Sequence, residues 1–180
     1  MTAVEAIRNK NDLKKIEKFL SENNYRDFIL FKFGINSGLR ISDILSLDVK
    51  DVKNKDFNQI TEKKTKKLRR IPINSTLLKL FNKYLKNKSD SEPLFISKNN
   101  KRLERTFVYK MLNKACEKAS IQYKIGTHSL RKTFGYHYYR KYKDIVMLQK
   151  ILNHSSPSIT LRYIGITQEE IYNSCKNFIL

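Results

Sequence analysis

Apolar residues recur at helical spacing through most of the chain. In the first part this spacing predicts helices over Asp12–Ser21, Tyr25–Asn36 and Arg40–Leu47. Gly38 stands where it can end the second of these helices in a left-handed conformation. Further helices are predicted over Ser75–Asn87, Glu104–Ala119, Ser129–Lys141, Ile145–Leu152, Ser158–Tyr163 and Gln168–Asn177.

The helical spacing is lost between Asp48 and Ile73, where the apolar residues predict short strands with a charged turn between them. The apolar positions are Val49, Val52, Phe57, Ile60, Leu68, Ile71 and Ile73. We therefore expect a mainly α fold with a small antiparallel β-sheet of two or three strands, an α+β class. Residues 94–96 are a further short extended candidate. The 180 residues fit a single domain spanning residues 1–180.

The charge of the chain points to a polyanionic partner. There are 37 Lys and Arg residues against 17 Asp and Glu, a formal net charge of +20. A merely solubilising surface charge is the alternative.

The first residues contain no signal-peptide core, no apolar run is long enough to cross a membrane, and two cysteines form no disulfide framework. These features predict a cytoplasmic protein with no membrane partner.

A basic run of nine residues lies at the predicted strand turn, and six of them are Lys or Arg: Lys63, Lys64, Lys66, Lys67, Arg69 and Arg70. On a hairpin tip they would contact DNA phosphates along a groove. A lysine there could also protonate a leaving oxygen. A solvated basic loop is the alternative.

Two pairs of residues have the spacing of a phosphate site. Arg40 can grip a phosphate through two parallel N–H bonds, and Asp43, three residues later, could orient it. A surface salt bridge is the alternative for this pair. His128 and Arg131 are also three apart, so both could face one phosphate from the start of a helix.

A second histidine cluster is followed by a tyrosine, His154 and then Tyr163. Tyrosine is a poor nucleophile at neutral pH because its pKa is about 10. A proton acceptor and a cationic setting would activate it, and nearby His and Arg residues can supply both.

Taken together, these segments resemble the catalytic domain of the tyrosine recombinase (phage integrase) family over almost the whole chain. Gly38 to Asp43 resembles the first box, and the residues from His128 to Thr133 resemble the second. The third box is matched by two nearby segments of this chain, Leu152-Asn-His154 and Ile159-Thr160-x-x-Tyr163, which resemble it. Lys64, eight residues before Pro72, resembles the lysine of the family's β-hairpin.

The resemblance implies a tyrosine recombinase fold and cleavage of DNA through a 3′-phosphotyrosyl bond to the nucleophile Tyr163. Arg40 and Arg131 would hold the non-bridging oxygens, Lys64 would protonate the 5′-oxygen, His128 would assist as base, and His154 would bind the phosphate. It implies no metal and no cofactor. The partners would be double-stranded DNA and further copies of the chain, as a dimer or tetramer on DNA. Lys63, Lys66, Lys67, Arg69 and Arg70 would bind DNA.

Two departures from the family pattern accompany this resemblance. Asn153 replaces the glycine of the third box, and Asn tolerates a left-handed conformation. The N-terminal core-binding domain of other members is not expected in residues 1–180. The alternatives are type IB topoisomerase-like DNA relaxation and a non-catalytic DNA-binding regulator. The segment after Tyr163 would either pack on its own domain or pass to a neighbouring subunit.

Overall fold

Eight α-helices form most of the part of the chain that this computed structural model describes, residues 4–61, 68–166, 172 and 176. The helices are α1 (Lys10–Asn23), α2 (Tyr25–Ser37), α3 (Ile41–Ile44), α4 (Ser75–Tyr84), α5 (Arg105–Lys118), α6 (Thr127–Tyr142), α7 (Ile145–Leu152) and α8 (Pro157–Ile164). A short 3-10 helix, Val49–Asp51, follows α3. The predicted helix Gln168–Asn177 lies largely outside the described residues.

The predicted α+β fold class is wrong, because no sheet forms a layer of this domain. The extended structure among the described residues is one antiparallel hairpin, β1 (Phe57–Thr61) and β2 (Leu68–Pro72), with Phe57 opposite Pro72. Val49 belongs to the 3-10 helix instead of a strand. Residues 94–96 make only isolated bridges at their edges. The domain is therefore helical, with the hairpin as an appendage.

Local hydrogen bonds explain why the region around Val49 does not form a strand. The Asp48 backbone N–H donates to Asp51 Oδ2 at 2.8 Å, and the two residues form a capping box. Such side-chain bonds to the backbone give the chain an alternative to a strand ladder. The helix predicted over Arg40–Leu47 is also shorter, because Arg40 is extended (φ −71°, ψ 145°) and helical geometry begins at Ile41.

The helices pack around two apolar clusters. The larger one joins α1, α2, α4 and α5, and it includes the edge-to-face pair Phe33 and Phe81 with ring centroids 5.2 Å apart. The smaller one holds α7 and α8 against α6 through Leu148, Leu152 and Ile164. Gly135 of α6 allows this approach, since a Cβ there would lie 2.7 Å from Ile164 Cγ2.

The segment before α1, residues 4–9, runs along α6. The Ile7 N–H donates to Thr133 Oγ1 at 2.8 Å, and His137 Nε2 donates to the Ile7 carbonyl at 2.9 Å. Ile7 is fully buried. The segment is thus fixed on the helix that also carries the predicted His–Arg pair. Among the described residues, none of the helices has the length and apolar content that crossing a membrane requires.

Candidate active site

A cleft of about 330 Å³ collects predicted site residues from three separate parts of the sequence. They come from the start of α3, the start of α6, and the turn between α7 and α8 with α8 itself. The cleft is lined by Arg40, His128, Arg131, Asn153, His154, Ser155, Ile159 and Tyr163. Five of the six predicted catalytic residues therefore lie around one space.

Arg131 ties these three parts together. Its side chain is buried, with 3% of the residue exposed. One guanidinium nitrogen donates to the Gly38 carbonyl at 2.7 Å, and the other donates to the Leu152 carbonyl. Gly38 ends α2 with φ +63°, as predicted, and Leu152 is the last residue of α7. Because charge-assisted hydrogen bonds are strong, this arginine fixes the relative positions of α2, α6 and α7.

Arg40 lies near its predicted partner. Its Nη1 is 4.0 Å from Asp43 Oδ2, and Asp43 is 2% exposed. A buried carboxylate beside a guanidinium restricts the positions that the guanidinium can take. The orienting role of Asp43 stays a prediction, and the contact on which it depends is present.

His154 is held by the turn between α7 and α8. Asn153 ends α7 in the left-handed conformation expected for it, with φ 49° and ψ 50°. His154 Nδ1 lies 3.1 Å from Thr160 Oγ1, and that hydroxyl donates to the Ser156 carbonyl, also at 3.1 Å. The single hydroxyl proton of Thr160 is then committed, so Nδ1 is the donor in this pair. The neutral ring of His154 therefore has an unprotonated Nε2.

Tyr163 stands in the last turn of α8. The helix starts at Pro157 behind a Ser156 cap, which accepts from the Ile159 N–H, and it ends at Gly165 with φ +79°. The Tyr163 hydroxyl is buried and has no well-formed hydrogen bond to the rest of the described chain. Its ring meets His154 edge-to-face at 5.0 Å between centroids. Ring contacts therefore contribute to holding this side chain.

Burial, together with the charges of the arginines, shifts the pKa values of the titratable groups in the cleft. Burial, then Arg131 and Arg40, lower the pKa of His154 to about 4. Burial is also the main reason why the pKa of His128 is lowered, and the charges of Arg105, Arg131, Lys132 and Arg40 add to it. Both rings are therefore neutral near pH 7. Burial raises the pKa of Tyr163, and Arg131 and Arg40 act against that rise.

The predicted DNA-binding residues of the hairpin are described only in part. Lys63, Lys64, Lys66 and Lys67 lie outside the described residues, and the side chain of Arg69 is not described. Arg70 is exposed and lies over the Phe57 ring, 5.1 Å from its centroid. It lines a separate groove of about 750 Å³ between the hairpin and α6, which contains none of the predicted catalytic residues.

Three residues near the cleft were not predicted as site residues. Lys132 Nζ lies over the Tyr163 ring, and Thr160 Oγ1 is hydrogen-bonded to His154. The charge of Arg105 helps to lower the pKa of His128, and its Nε donates to Thr127 Oγ1 at 3.2 Å. The contacts of Lys132 and Arg105 cross between helices, and that of Thr160 depends on the turn before α8, so spacing along one helix gives no signal for them. Among the ranges described, no group of three or more His, Cys, Asp or Glu side chains could hold a metal ion.

Comparison with known proteins identifies the family. The phage integrase family model matches residues 8–170, and the chain belongs to this family, which confirms the resemblance predicted from the sequence. The chain is 48% identical over 179 residues to the probable integrase/recombinase YoeC of Bacillus subtilis (strain 168), covering 99% of this chain and 98% of that protein. It is a tyrosine-type recombinase by family and by these relatives.

Other relatives are longer than this chain. Tyrosine recombinase XerA of Pyrococcus furiosus (strain ATCC 43587 / DSM 3638 / JCM 8422 / Vc1) is 30% identical over 167 residues, which cover 90% of this chain and 58% of that protein. A crystal structure of XerA recombinase superposes with a TM-score of 0.81 at 21% identity, over 99% of this chain and 68% of that one. XerH recombinase bound to palindromic difH substrate gives a TM-score of 0.77 at 19% identity, and the match covers 94% of this chain and 51% of that one. The structural matches define the fold.

Proposed function

We propose that this chain cuts and rejoins double-stranded DNA at specific sites, with Tyr163 as the nucleophile. The observation that carries the proposal is the meeting of two arginines, two histidines and one tyrosine around a single cleft. Because the chain has a net charge of +20 and the cleft contains two arginines, a negatively charged phosphodiester fits this cleft.

The two guanidiniums would carry most of the electrostatic stabilisation. Arg40 and Arg131 enter the cleft from different elements, so they can reach different non-bridging oxygens of one phosphate. Attack by tyrosine adds charge to these oxygens in the pentacoordinate state. Donors already fixed in place stabilise that charge without reorganisation, and Arg131 is fixed by its two carbonyl partners.

Proton transfer would follow from the states of the side chains. The Tyr163 oxygen attacks phosphorus, its proton passes to His128, and the bond from phosphorus to the 5′-oxygen breaks. His128 suits this role because its lowered pKa leaves the ring neutral and able to accept a proton. Lys64 would give a proton to the 5′-oxygen, as the family resemblance implies. The products are a 3′-phosphotyrosyl bond and a free 5′-hydroxyl, whose later attack reverses the step.

The partners in this proposal are DNA and further copies of the chain. Several structural neighbours are recombinases bound to DNA, among them a lambda integrase dimer bound to a COC' core site. Exchange of strands between two duplexes needs more than one nucleophile, so we propose a dimer or tetramer on DNA. Residues 4–166 would act as the catalytic unit of this assembly.

A suicide DNA substrate tests the nucleophile. Its nick lets the leaving 5′-fragment diffuse away, so the covalent complex accumulates. We expect wild-type protein to give a covalent adduct on a denaturing gel and Tyr163→Phe to give none. Tyr172→Phe is the matched control, because it removes a hydroxyl from a tyrosine that is exposed (66%) and should form adduct normally.

Other results would contradict this function in recognisable ways. DNA binding without adduct in both wild type and Tyr163→Phe would support a regulator instead of an enzyme. Relaxation of a supercoiled plasmid that lacks any specific site would support topoisomerase-like activity. An adduct that persists in Tyr163→Phe would place the nucleophile elsewhere in the chain.

A further inference from the structure

The nucleophile is held in place by contacts to its ring and to its helix end. The Tyr163 hydroxyl makes no well-formed hydrogen bond to a described residue, although Arg131 and Arg40 are close enough to lower its pKa against the effect of burial. Contacts to the ring therefore contribute to the orientation of this side chain, and a loosely held phenol ring can turn about its side-chain bonds. A group that restricts this motion lowers the cost of reaching the attacking geometry.

Lys132 supplies such a contact. Its ammonium nitrogen lies 5.3 Å from the centroid of the Tyr163 ring, within the range of a cation–π interaction. Lys132 follows Arg131 on α6, so the helix that fixes the phosphate-binding guanidinium also presents the ammonium. Burial is the first cause of a lowered pKa for Lys132, which indicates that the ammonium has lost part of its water. Cation–π contacts strengthen when the cation is desolvated.

Arg8 holds the end of the nucleophile helix. Its Nη2 donates to the Gly165 carbonyl at 2.7 Å, two residues after Tyr163. The guanidinium lies 5.1 Å from the centroid of the Tyr136 ring on α6. Arg8 is itself anchored by Ile7, whose backbone is bonded to Thr133 and His137 of α6. A Cβ at Gly165 would lie only 2.5 Å from Arg8 Nη2, so glycine leaves the room that this contact needs.

The two contacts belong to one arrangement. The charge of Glu5 raises the pKa of Lys132 and the charge of Arg8 lowers it, so the segment of residues 4–9 lies near this lysine. That segment therefore contacts the end of α8 directly and also flanks the side chain that contacts the Tyr163 ring. We propose that Lys132 and Arg8 are positioning residues for Tyr163, with Lys132 orienting the phenol ring and Arg8 fixing the C-terminal end of α8.

This proposal rests on the proposed function of Tyr163 and can fail separately from it. The test measures the rate of adduct formation at saturating suicide DNA, the apparent DNA affinity and the urea unfolding midpoint. The variants are Lys132→Met, Lys132→Arg, Arg8→Met and Arg8→Lys. Lys141→Met is the matched control, because Lys141 makes a similar contact, 5.0 Å from the centroid of the Tyr142 ring on the same helix, away from the nucleophile.

We expect Lys132→Met to lower the rate on bound DNA by about tenfold, the worth of a partly desolvated cation–π contact. Lys132→Arg should recover most of the rate, because a guanidinium also binds a ring face. Arg8→Met should lower the rate by about three- to tenfold, the range of one exposed charged hydrogen bond, with partial recovery in Arg8→Lys. DNA affinity and unfolding midpoint should change little, and Lys141→Met should match wild type.

Three results would overturn the proposal. A rate on bound DNA equal to or above that of wild type in both Met variants would show that neither residue positions Tyr163. A loss confined to DNA affinity would make Lys132 a phosphate contact. Equal losses in Lys132→Met and Lys132→Arg that follow the unfolding midpoint would make it a structural residue. If wild type itself forms no adduct while Tyr163 is intact, the proposed function fails first.

Discussion

Replacing Arg131 by lysine separates the observed role of this side chain in bracing the fold from its proposed role in binding phosphate. Arg131 donates from two nitrogens to carbonyls on different elements, Gly38 and Leu152. Lysine keeps the charge but places all three of its N–H donors on one nitrogen, so it cannot reproduce two bonds from separate nitrogens to carbonyls on different elements, and we expect one bond to be lost or weakened. An unsatisfied buried group costs about 1–3 kcal/mol. We expect Arg131→Lys to lower the free energy of unfolding by that amount.

The same change should impair cleavage much more than DNA binding. The ammonium still attracts phosphate, so affinity at fixed salt should change little. It cannot reproduce the fixed two-nitrogen donor geometry, and losing one such donor typically costs about 10²–10³-fold in rate. Urea unfolding measures the first effect, and adduct formation on suicide DNA at saturating protein measures the second.

A matched exchange on the surface provides the control. Arg162 is exposed on α8, and Arg162→Lys should change the unfolding free energy by less than about 0.5 kcal/mol. If Arg131→Lys unfolds at the same urea concentration as wild type, with the same slope, the bracing argument is refuted. Equal losses of affinity and cleavage would assign Arg131 to binding alone.

Three further predictions concern protons and packing. His154 has a folded pKa of about 4 against 6.5 in the unfolded chain, so the unfolded chain binds more protons between these values and stability falls as pH drops through that window. After allowance for the partial exposure of His154, wild type should lose about 1–2 kcal/mol more than His154→Gln between pH 7 and 4.5 in urea titrations, and identical losses would contradict the assignment. Because the pKa of His128 is lowered, the cleavage rate should decline only below pH 6.5. A cleavage rate that stays constant below pH 6.5 in single-turnover assays would show that His128 is not the base. Gly135→Ala should cost about 1–3 kcal/mol of unfolding free energy, since its Cβ would lie 2.7 Å from Ile164 Cγ2, and a neutral effect would mean that α8 can shift freely.

The helical part of the fold was predictable because its signals are local. Apolar spacing places Ile145–Leu152 at the observed bounds, and the left-handed ends at Gly38 and Asn153 follow from residues that tolerate positive φ. The first helix begins at Lys10, before the predicted Asp12, because the side chain of Asn9 caps it. Which residue caps a helix depends on the path of the chain before it, and the spacing of apolar residues does not reveal that path.

The strand prediction is wrong at Val49 and Val52, because a few apolar residues in a short stretch are an ambiguous signal. The carboxylate of Asp51 accepts a hydrogen bond from the backbone of Asp48, and residues Val49–Asp51 form a 3-10 helix. The site residues were easier to find than the contacts between them. The order of the boxes identifies Arg40, Arg131 and Tyr163, whereas the contact of Lys132 with Tyr163 depends on how α8 packs against α6.

Arg131 explains why boxes that are far apart in sequence form one site. Its acceptors are the carbonyl of Gly38 in the first box and that of Leu152 in the third, while the arginine itself belongs to the second. The bonds go to backbone oxygens, so they fix the path of the chain rather than any neighbouring side chain. Changes to side chains around the cleft should therefore leave this backbone arrangement intact, whereas loss of Arg131 would remove the two bonds that maintain it together with the proposed phosphate ligand. Burial is the main reason why the pKa values of His128 and His154 are lowered, and the charge of Arg131 adds to this shift at both residues.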